Sequence, residues 1–533
     1  MRASGRIAHG TLFVLSGVAL TLTLSLGYSL VGTLAGLALC LPVYALLAWR
    51  YRLPDAAART GGLRPVWRAL ALAGAALCTF YFSLAFANDA APRFPALTGG
   101  WFWAVVGGGF ALSLYAAYVL LCALLRTALP VLGRFLGSLT TYEMLYWVLW
   151  TALVSACVLW VYHGSLAFDT PLYRDGMRHV SVPWNAVYSL DTPSLIGDFT
   201  APGYAEIRHP LFSLLAFPVG LAARQWGKLV GAAAPYAQAA LLAVAGAAML
   251  GACAVLLARR VRSPWMLALY SLSHPVLVYA LCVERYQLSV FLLIVTASAP
   301  AWDEGRARRY GPLIAAAGAT ATSVLLAPAL ADARRPLRWL REMALAALWA
   351  LGMLAVLGRG GLLLDAPARV AALLAEHAAP MSLAERLAQY SRFVTACFAA
   401  IPYGVAQAPW PSLTWLPATG VDWVGVALFT LCALGLALNF RQRFARICGW
   451  WMGCSILLLP VLGWGAGEFP FFSFYFSWAA VSLAFLGICG LLAKTKALRA
   501  VALMLAVAAL VWFNYPAIRD LLAFALRAYP RGW

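Results

Sequence analysis

The sequence predicts an all-α polytopic membrane protein, and three observations predict it. Hydrophobic residues make up 63% of the 533 and charged residues only 11%, more apolar surface than a soluble core can enclose. The apolar residues gather in runs of roughly the 20 that a helix needs to span a bilayer. Between the runs lie small groups of arginine, the mark of loops that stay in the cytosol. The formal charge of +20 is therefore topological. No Lys/Arg tract or RNA-binding aromatic motif accompanies it, which argues against nucleic acid as a partner. Almost all of the 11 cysteines sit inside apolar runs, as at Cys78, Cys157, Cys253 and Cys489. With no CxxC pair and no metal spacing, neither a disulfide framework nor a zinc site is expected.

The elements follow in order. Arg2 and Arg6 precede the first apolar run, which lacks a cleavage site and reads as a retained helix. Crossings are expected at about 11–28, 30–49, 69–88, 101–125 and 143–163. Only Gly27-Tyr28-Ser29 separates the first two, so residues 11–49 leave one crossing or two open. Arginines at 50, 52, 59, 64 and 68, then Arg126 and Arg134, mark cytosolic loops, and the fifth helix emerges outside near His163. Leu211–Ala223 is short and contains Pro218, and as a crossing it would put Arg259, Arg260 and Arg262 outside. It is read as an amphipathic juxtamembrane helix on the membrane surface. Further crossings follow at about 237–258, 264–281 and 286–300, with Glu284-Arg285 in a short external turn.

The stretch 311–331 has basic residues on both sides and a Gly/Thr break in the middle, as a re-entrant pair of half-helices would. Crossings at about 343–358, 423–440, 447–463, 471–493 and 499–514 bring the total to about 13, N-terminus in and C-terminus out. Three segments result: 1–142 with four helices, 143–345 with a first external loop at 164–235, and 346–533 with a second at 359–422. This thread puts 25 of the 39 Lys and Arg inside and 13 of the 19 Asp and Glu outside. Unusual chemistry is thus expected at the outer face.

The first loop holds Asp169, Asp175, Asp191, Asp198 and Glu206 with His163, His179 and His209. Solvation explains any one of these. Carboxylates near lipid headgroups add no anchoring, so the group suits general base catalysis or a divalent cation. Arg208 and His209 suit a phosphate, the guanidinium as a bidentate fork and the imidazole as donor or proton shuttle. His209-Pro210 also suits the start of a helix. Glu284-Arg285-Tyr286 sits in a turn too short to be solvated on all sides, as a structural pair or as part of a site. Glu468 reads as structural, and Arg359 and Arg392 are external cations with a weaker case for a phosphate.

These residues resemble the polytopic GT-C glycosyltransferases, which move sugars from polyprenyl-phosphate carriers, among them the mannosyl- and arabinosyltransferase type. The resemblance is carried by "LDTPSLIGDF" (190–199), "RHPLFSLLAF" (208–217), "HPVLVYALCVERYQLSVFLLI" (274–294) and "GATATSVLLAP" (318–328), and covers about residues 143–345. It implies a single displacement at the anomeric carbon, with polyprenyl phosphate leaving and an acceptor hydroxyl of a glycan, lipid or protein attacking. Asp191 or Asp198 would be the base. Arg208, His209 and Arg285 would meet the phosphate, Glu284 would orient donor or acceptor, and Glu206 and Asp175 would line the substrate. A divalent cation, Mg or Mn, at Asp191 and Asp198 is left open. The family's adjacent acids are missing from this first loop, and four helices precede the loop-bearing one. Alanine- and arginine-rich usage fits a bacterial inner membrane, with the site facing the periplasm. A transporter or flippase of lipid-linked sugars would need ionisable residues at mid-membrane, where the runs hold almost none. A polysaccharide polymerase or ligase, or a relative with a structural role, completes the alternatives.

Overall fold

The computed structural model describes residues 3–25, 30–58, 63–164, 207–230, 234–298, 306–331, 335–377, 381–406, 412–464 and 469–528. These form α1 (Ala3–Leu24), α2 (Leu30–Ala45), α3 (Leu53–Ala58), α4 (Pro65–Ala90), α5 (Gly99–Gly137) and α6 (Thr141–Gly164). After the first loop come α7 (Phe212–Val230), α8 (Ala234–Val261), α9 (Trp265–Ser271), α10 (His274–Leu281), α11 (Arg285–Ser298) and α12 (Arg306–Ala319). A 3-10 turn at Ala321–Leu326 leads into α13 (Ala327–Leu330), followed by α14 (Pro336–Val356), α15 (Gly360–His377) and α16 (Leu383–Ala396). A hairpin of β1 (Tyr403–Ala406) and β2 (Ser412–Trp415) precedes α17 (Trp423–Leu438), α18 (Arg443–Ile456), α19 (Phe469–Leu491) and α20 (Lys496–Ala528).

Among the described residues ten helices are long and apolar enough to cross a membrane, and the chain is a multi-pass α-helical membrane protein. The sides these helices show to their surroundings agree. On α6, Leu145, Leu149, Leu153 and Trp160 are exposed, an apolar stripe that lipid covers and water would not.

Several sequence expectations change. Residues 11–49, which left one crossing or two open, form two helices, α1 and α2. The 264–281 stretch is two short helices, because Pro275 lacks an N–H and in a continuous helix its ring would strike the carbonyl one turn back. Ser273 takes the extended backbone (φ −64°, ψ 138°) that joins them. Arg126 and Arg134 belong to the 39-residue α5 and not to a loop. The juxtamembrane helix runs on to Val230. The 359–422 segment holds the helices α15 and α16, and also the antiparallel hairpin, with Tyr403 opposite Trp415 and Ala406 opposite Ser412. The α11 and α17 stretches are apolar but 14 and 16 residues long.

The described chain divides into two compact units. The first comprises Met1–Thr141, Ala201–Phe217 and Ala344–Val370. Its core packs Phe13, Leu20, Cys40, Tyr44, Ala116 and Val356. Phe13 and Tyr44 meet edge to face at 5.5 Å, with Gly17 making room: a Cβ there would lie 2.4 Å from the tyrosine ring. Ser16 stitches α1 to α5, donating to Leu112 O at 2.5 Å and accepting from Ala116 N at 2.9 Å. The second unit comprises Tyr142–Thr200, Pro218–Met343 and Ala371–Trp533. Its centre is α19, where Phe474, Tyr475, Phe476 and Trp478 are fully buried. Glu143 and Arg259 close a two-point ion pair at 2.6 and 2.8 Å that joins α6 to α8. Beside it Trp147 and Trp150 donate to Ala248 O and Ala247 O on α8.

Helix α16 begins with a capping box. Ser382 Oγ accepts from Glu385 N at 3.3 Å and the Glu385 carboxylate accepts from Ser382 N at 2.7 Å. These hydrogen bonds to Ser382 hold the Glu385 carboxyl below its usual range. Their contribution is therefore present above the ordinary carboxylate pKa and lost as pH falls through the lowered one. Ser382→Ala is expected to remove the hydroxyl cap, worth about 1 kcal/mol, and to raise hydrogen exchange in the first turn of α16 while leaving its last turn unchanged. Unchanged exchange at Glu385 and Arg386 would show that the cap does not hold the turn.

Candidate functional site

Four of the sequence-derived site residues are described. Arg208 and His209 fall in the first unit, Glu284 and Arg285 in the second. Asp175, Asp191, Asp198 and Glu206 lie outside the described residues, as does Glu468.

In the first unit, His209 is buried at the entry to α7. Its carbonyl accepts from Phe212 N at 3.3 Å, and its ring meets Phe212 edge to face at 6.5 Å. His209-Pro210 thus serves as the helix start. Arg208, just outside, is half-buried. Arg359 departs from its expected place on a solvated loop: its side chain is fully buried. One guanidinium N–H donates to Leu24 O at 3.1 Å and another to Ser213 Oγ at 3.4 Å, linking the end of α1 to the first turn of α7. The turn that aims it inward needs Gly358 (φ +73°), where a Cβ would lie 2.6 Å from the Leu24 backbone.

In the second unit, Glu284 and Arg285 stand where α10 gives way to α11, and both are buried. Glu284 Oε2 accepts from Arg285 N at 2.8 Å, so a carboxylate satisfies one of the open donors of the α11 N-terminus, where the helix dipole favours negative charge. Gln287 holds the turn from inside: Nε2 donates to Cys282 O at 2.8 Å and also to Tyr279 O. Gly246 on α8 leaves the space for it, since a Cβ there would lie 2.3 Å from the amide oxygen. Burial first, and then the Glu284 carboxylate, push the Cys282 thiol up to about 12. Cys282 is therefore no thiolate nucleophile at neutral pH.

An aromatic and hydroxyl wall adjoins this turn. Tyr279 stacks on Phe474 at 4.1 Å, and Tyr286 meets Tyr475 edge to face at 5.7 Å. The Tyr475 hydroxyl bonds Ser323 and reaches Thr322 at 3.4 Å. Ser289 Oγ and Thr320 Oγ1 are 2.6 Å apart. Thr320, extended at φ −147°, is the break that ends α12 and begins the 3-10 turn. The arrangement offers a carboxylate, a guanidinium and several hydroxyls around stacked rings, a set suited to a polyhydroxylated ligand carrying negative charge.

The second interrupted segment lies between α9 and α10. Asn514 of α20 holds it: Nδ2 donates to Leu272 O at 2.7 Å and Phe398 O at 2.9 Å, while Oδ1 accepts from Ala400 N at 2.8 Å. His274 N also donates to Phe398 O, at 3.0 Å. Sequence reasoning passed over Asn514, Gln287 and the Ser289–Thr320 pair. A signal for Asn514 was present, because an amide inside an otherwise apolar run is costly without partners. Among the described residues no group of three or more His, Cys, Asp or Glu side chains is assembled for a metal.

Fold and interior together define a polytopic α-helical membrane protein with two interrupted helical segments and a buried Glu-Arg turn. Compared with protein-family models, curated sequences and solved structures, the chain gives no match.

Proposed function

We propose that this protein is a membrane glycosyltransferase that moves a sugar from a polyprenyl-phosphate donor to an acceptor hydroxyl. It works at the periplasmic face of a bacterial inner membrane. The observation that carries this reading is the buried Glu284-Arg285 turn beside the Tyr286, Tyr475, Ser323 and Thr322 wall. Burying two ionisable groups is expensive, and a sugar phosphate provides a use for both. On this reading about 13 segments cross the membrane, with the short α11 and α17 among them. The α12 to α13 stretch, interrupted at Thr320, is then the re-entrant pair.

The acceptor oxygen attacks the anomeric carbon and forms the new C–O bond. The bond from that carbon to the phosphate oxygen breaks, and its electron pair leaves with the polyprenyl phosphate. The acceptor proton goes to Asp191 or Asp198. Arg285 offsets charge on the leaving phosphate, and Glu284 orients a sugar hydroxyl. No step requires a metal, although Asp191 and Asp198 would suit Mg or Mn if one binds.

The test is transfer of radiolabelled sugar from polyprenyl-phosphate donors in membranes carrying matched amounts of protein. Glu284→Gln is expected to lower transfer on the order of a hundredfold, and either Asp191→Asn or Asp198→Asn to abolish it. Wild-type rates in all three variants would discard the assignment.

A second reading, a transporter or flippase of a lipid-linked sugar, is favoured by one observation. The α9–α10 interruption is held in the interior by Asn514 with His274 beside it, as at the binding sites of transporters with broken helices. In proteoliposomes it expects donor to change leaflet without sugar transfer.

A further inference from the structure

A cavity of about 1030 Å³ opens in the second unit where α8 and α17 end, α18 begins, and α19 hands over to α20. Five cations line it: Arg260, Arg262, Arg443, Lys496 and Arg499. Not one Asp or Glu does. The neighbouring residues sharpen the contrast. Arg259 is neutralised by Glu143 at 2.6 Å, whereas Arg260 turns the other way, its guanidinium carbon 5.3 Å from the Phe444 ring centroid. The Arg260 Nε is enclosed without a hydrogen-bond partner among the described residues. Arg443 gives one N–H to Leu330 O at 2.9 Å. Arg262 sits at φ +56° just past the end of α8, a backbone that glycine would adopt at no cost.

Beside the cations, Ser263, Asn439 and Gln442 are the polar part of the wall, and most of the remainder is apolar, including Phe485, Leu486 and Leu503. Gathered like charges need an anion nearby, and the apolar wall asks for a hydrocarbon chain attached to it. Cations of this kind mark the cytosolic end of a membrane protein, where the leaflet itself carries anionic headgroups.

We propose that this cavity binds the phosphate headgroup of an anionic phospholipid of the cytosolic leaflet, with an acyl chain along Phe485, Leu486 and Leu503. The site stands apart from the Glu284-Arg285 turn and does not depend on the transferase reading.

The experiment is native mass spectrometry of the purified full chain in uncharged detergent, titrated with phosphatidylglycerol, with phosphatidylcholine, or with inorganic phosphate alone. Wild-type protein is expected to retain phosphatidylglycerol over phosphatidylcholine. The Arg262→Gln/Arg499→Gln double variant should weaken that retention on the order of tenfold. The Arg262→Lys/Arg499→Lys variant, which keeps the charge, should restore most of it, and this separates loss of binding from loss of folding. Arg50→Gln/Arg134→Gln, with the same change in net charge elsewhere, should have no effect. Equal retention of the two lipids, equal weakening by the two Gln double variants, or failure of the Lys variant to restore binding would overturn the proposal. Displacement of the lipid by millimolar inorganic phosphate would overturn it in favour of a soluble phosphate compound.

Discussion

Asn514→Leu is expected to unfold the protein in mild detergent at temperatures where the wild type persists. The amide makes three hydrogen bonds to backbone groups, at Leu272 O, Phe398 O and Ala400 N, all between 2.7 and 2.9 Å. Leucine is close in volume and supplies none of them. Phe398 O keeps the His274 N–H as a partner, but Leu272 O and Ala400 N lose theirs, at about 1 to 3 kcal/mol for each buried group left unpaired, a sizeable share of the roughly 5 to 15 kcal/mol that holds a folded domain together. All three groups lie outside the helices and have no helical partner to return to. Thermal melts followed by tryptophan fluorescence would measure the effect. A midpoint within a degree or two of wild type would mean that neighbouring groups or water satisfy the α9–α10 break without the amide.

Gly435→Leu is expected to force α17 and α19 apart. A Cβ at Gly435 would lie 1.9 Å from Leu483 O, and one at Gly487 would lie 2.6 Å from Leu431 O. Both obstacles are main-chain atoms, which cannot rotate away as a side chain could. The two helices approach closely enough for Cys432 Sγ to reach Ala480 O at 3.3 Å, the contact that small residues permit between membrane helices, where packing carries the association. Overpacking of this kind costs about 3 kcal/mol or more. Gly453→Leu is the matched comparison, since a Cβ there meets nothing within 4 Å. Equal melting of the two variants would show that α17 and α19 separate without cost.

Much of the helical framework was legible because the bilayer imposes it. A segment inside hydrocarbon must satisfy its own backbone hydrogen bonds, so apolar runs near 69–88, 101–125, 143–163 and 237–258 could only be helices, and α4, α5, α6 and α8 cover them. Their lengths were less legible. The 39-residue α5 continues through Arg126 and Arg134, because a charge ends an apolar run without ending a helix. Arginine is a good helix former. Pro275 carried a readable signal for the α9–α10 interruption, outweighed by the apolar character of the run around it. The hairpin at 403–415 had no periodic signal to read, since its strands are only four residues each.

By itself the sequence determined that this is a membrane protein of many helices and that Glu284 and Arg285 share one short turn. Hydrophobicity and chain adjacency act locally, and both can be counted along the chain. Only the tertiary structure decided that Arg359 is buried against Leu24 O and Ser213 Oγ, that Asn514 closes a break 242 residues away, and that five cations surround one cavity. Each of these depends on which helices become neighbours, and that follows from the fit of small residues such as Gly17, Gly246 and Gly435 against particular partners. Such fit is a property of two surfaces together, and no single stretch of sequence carries it.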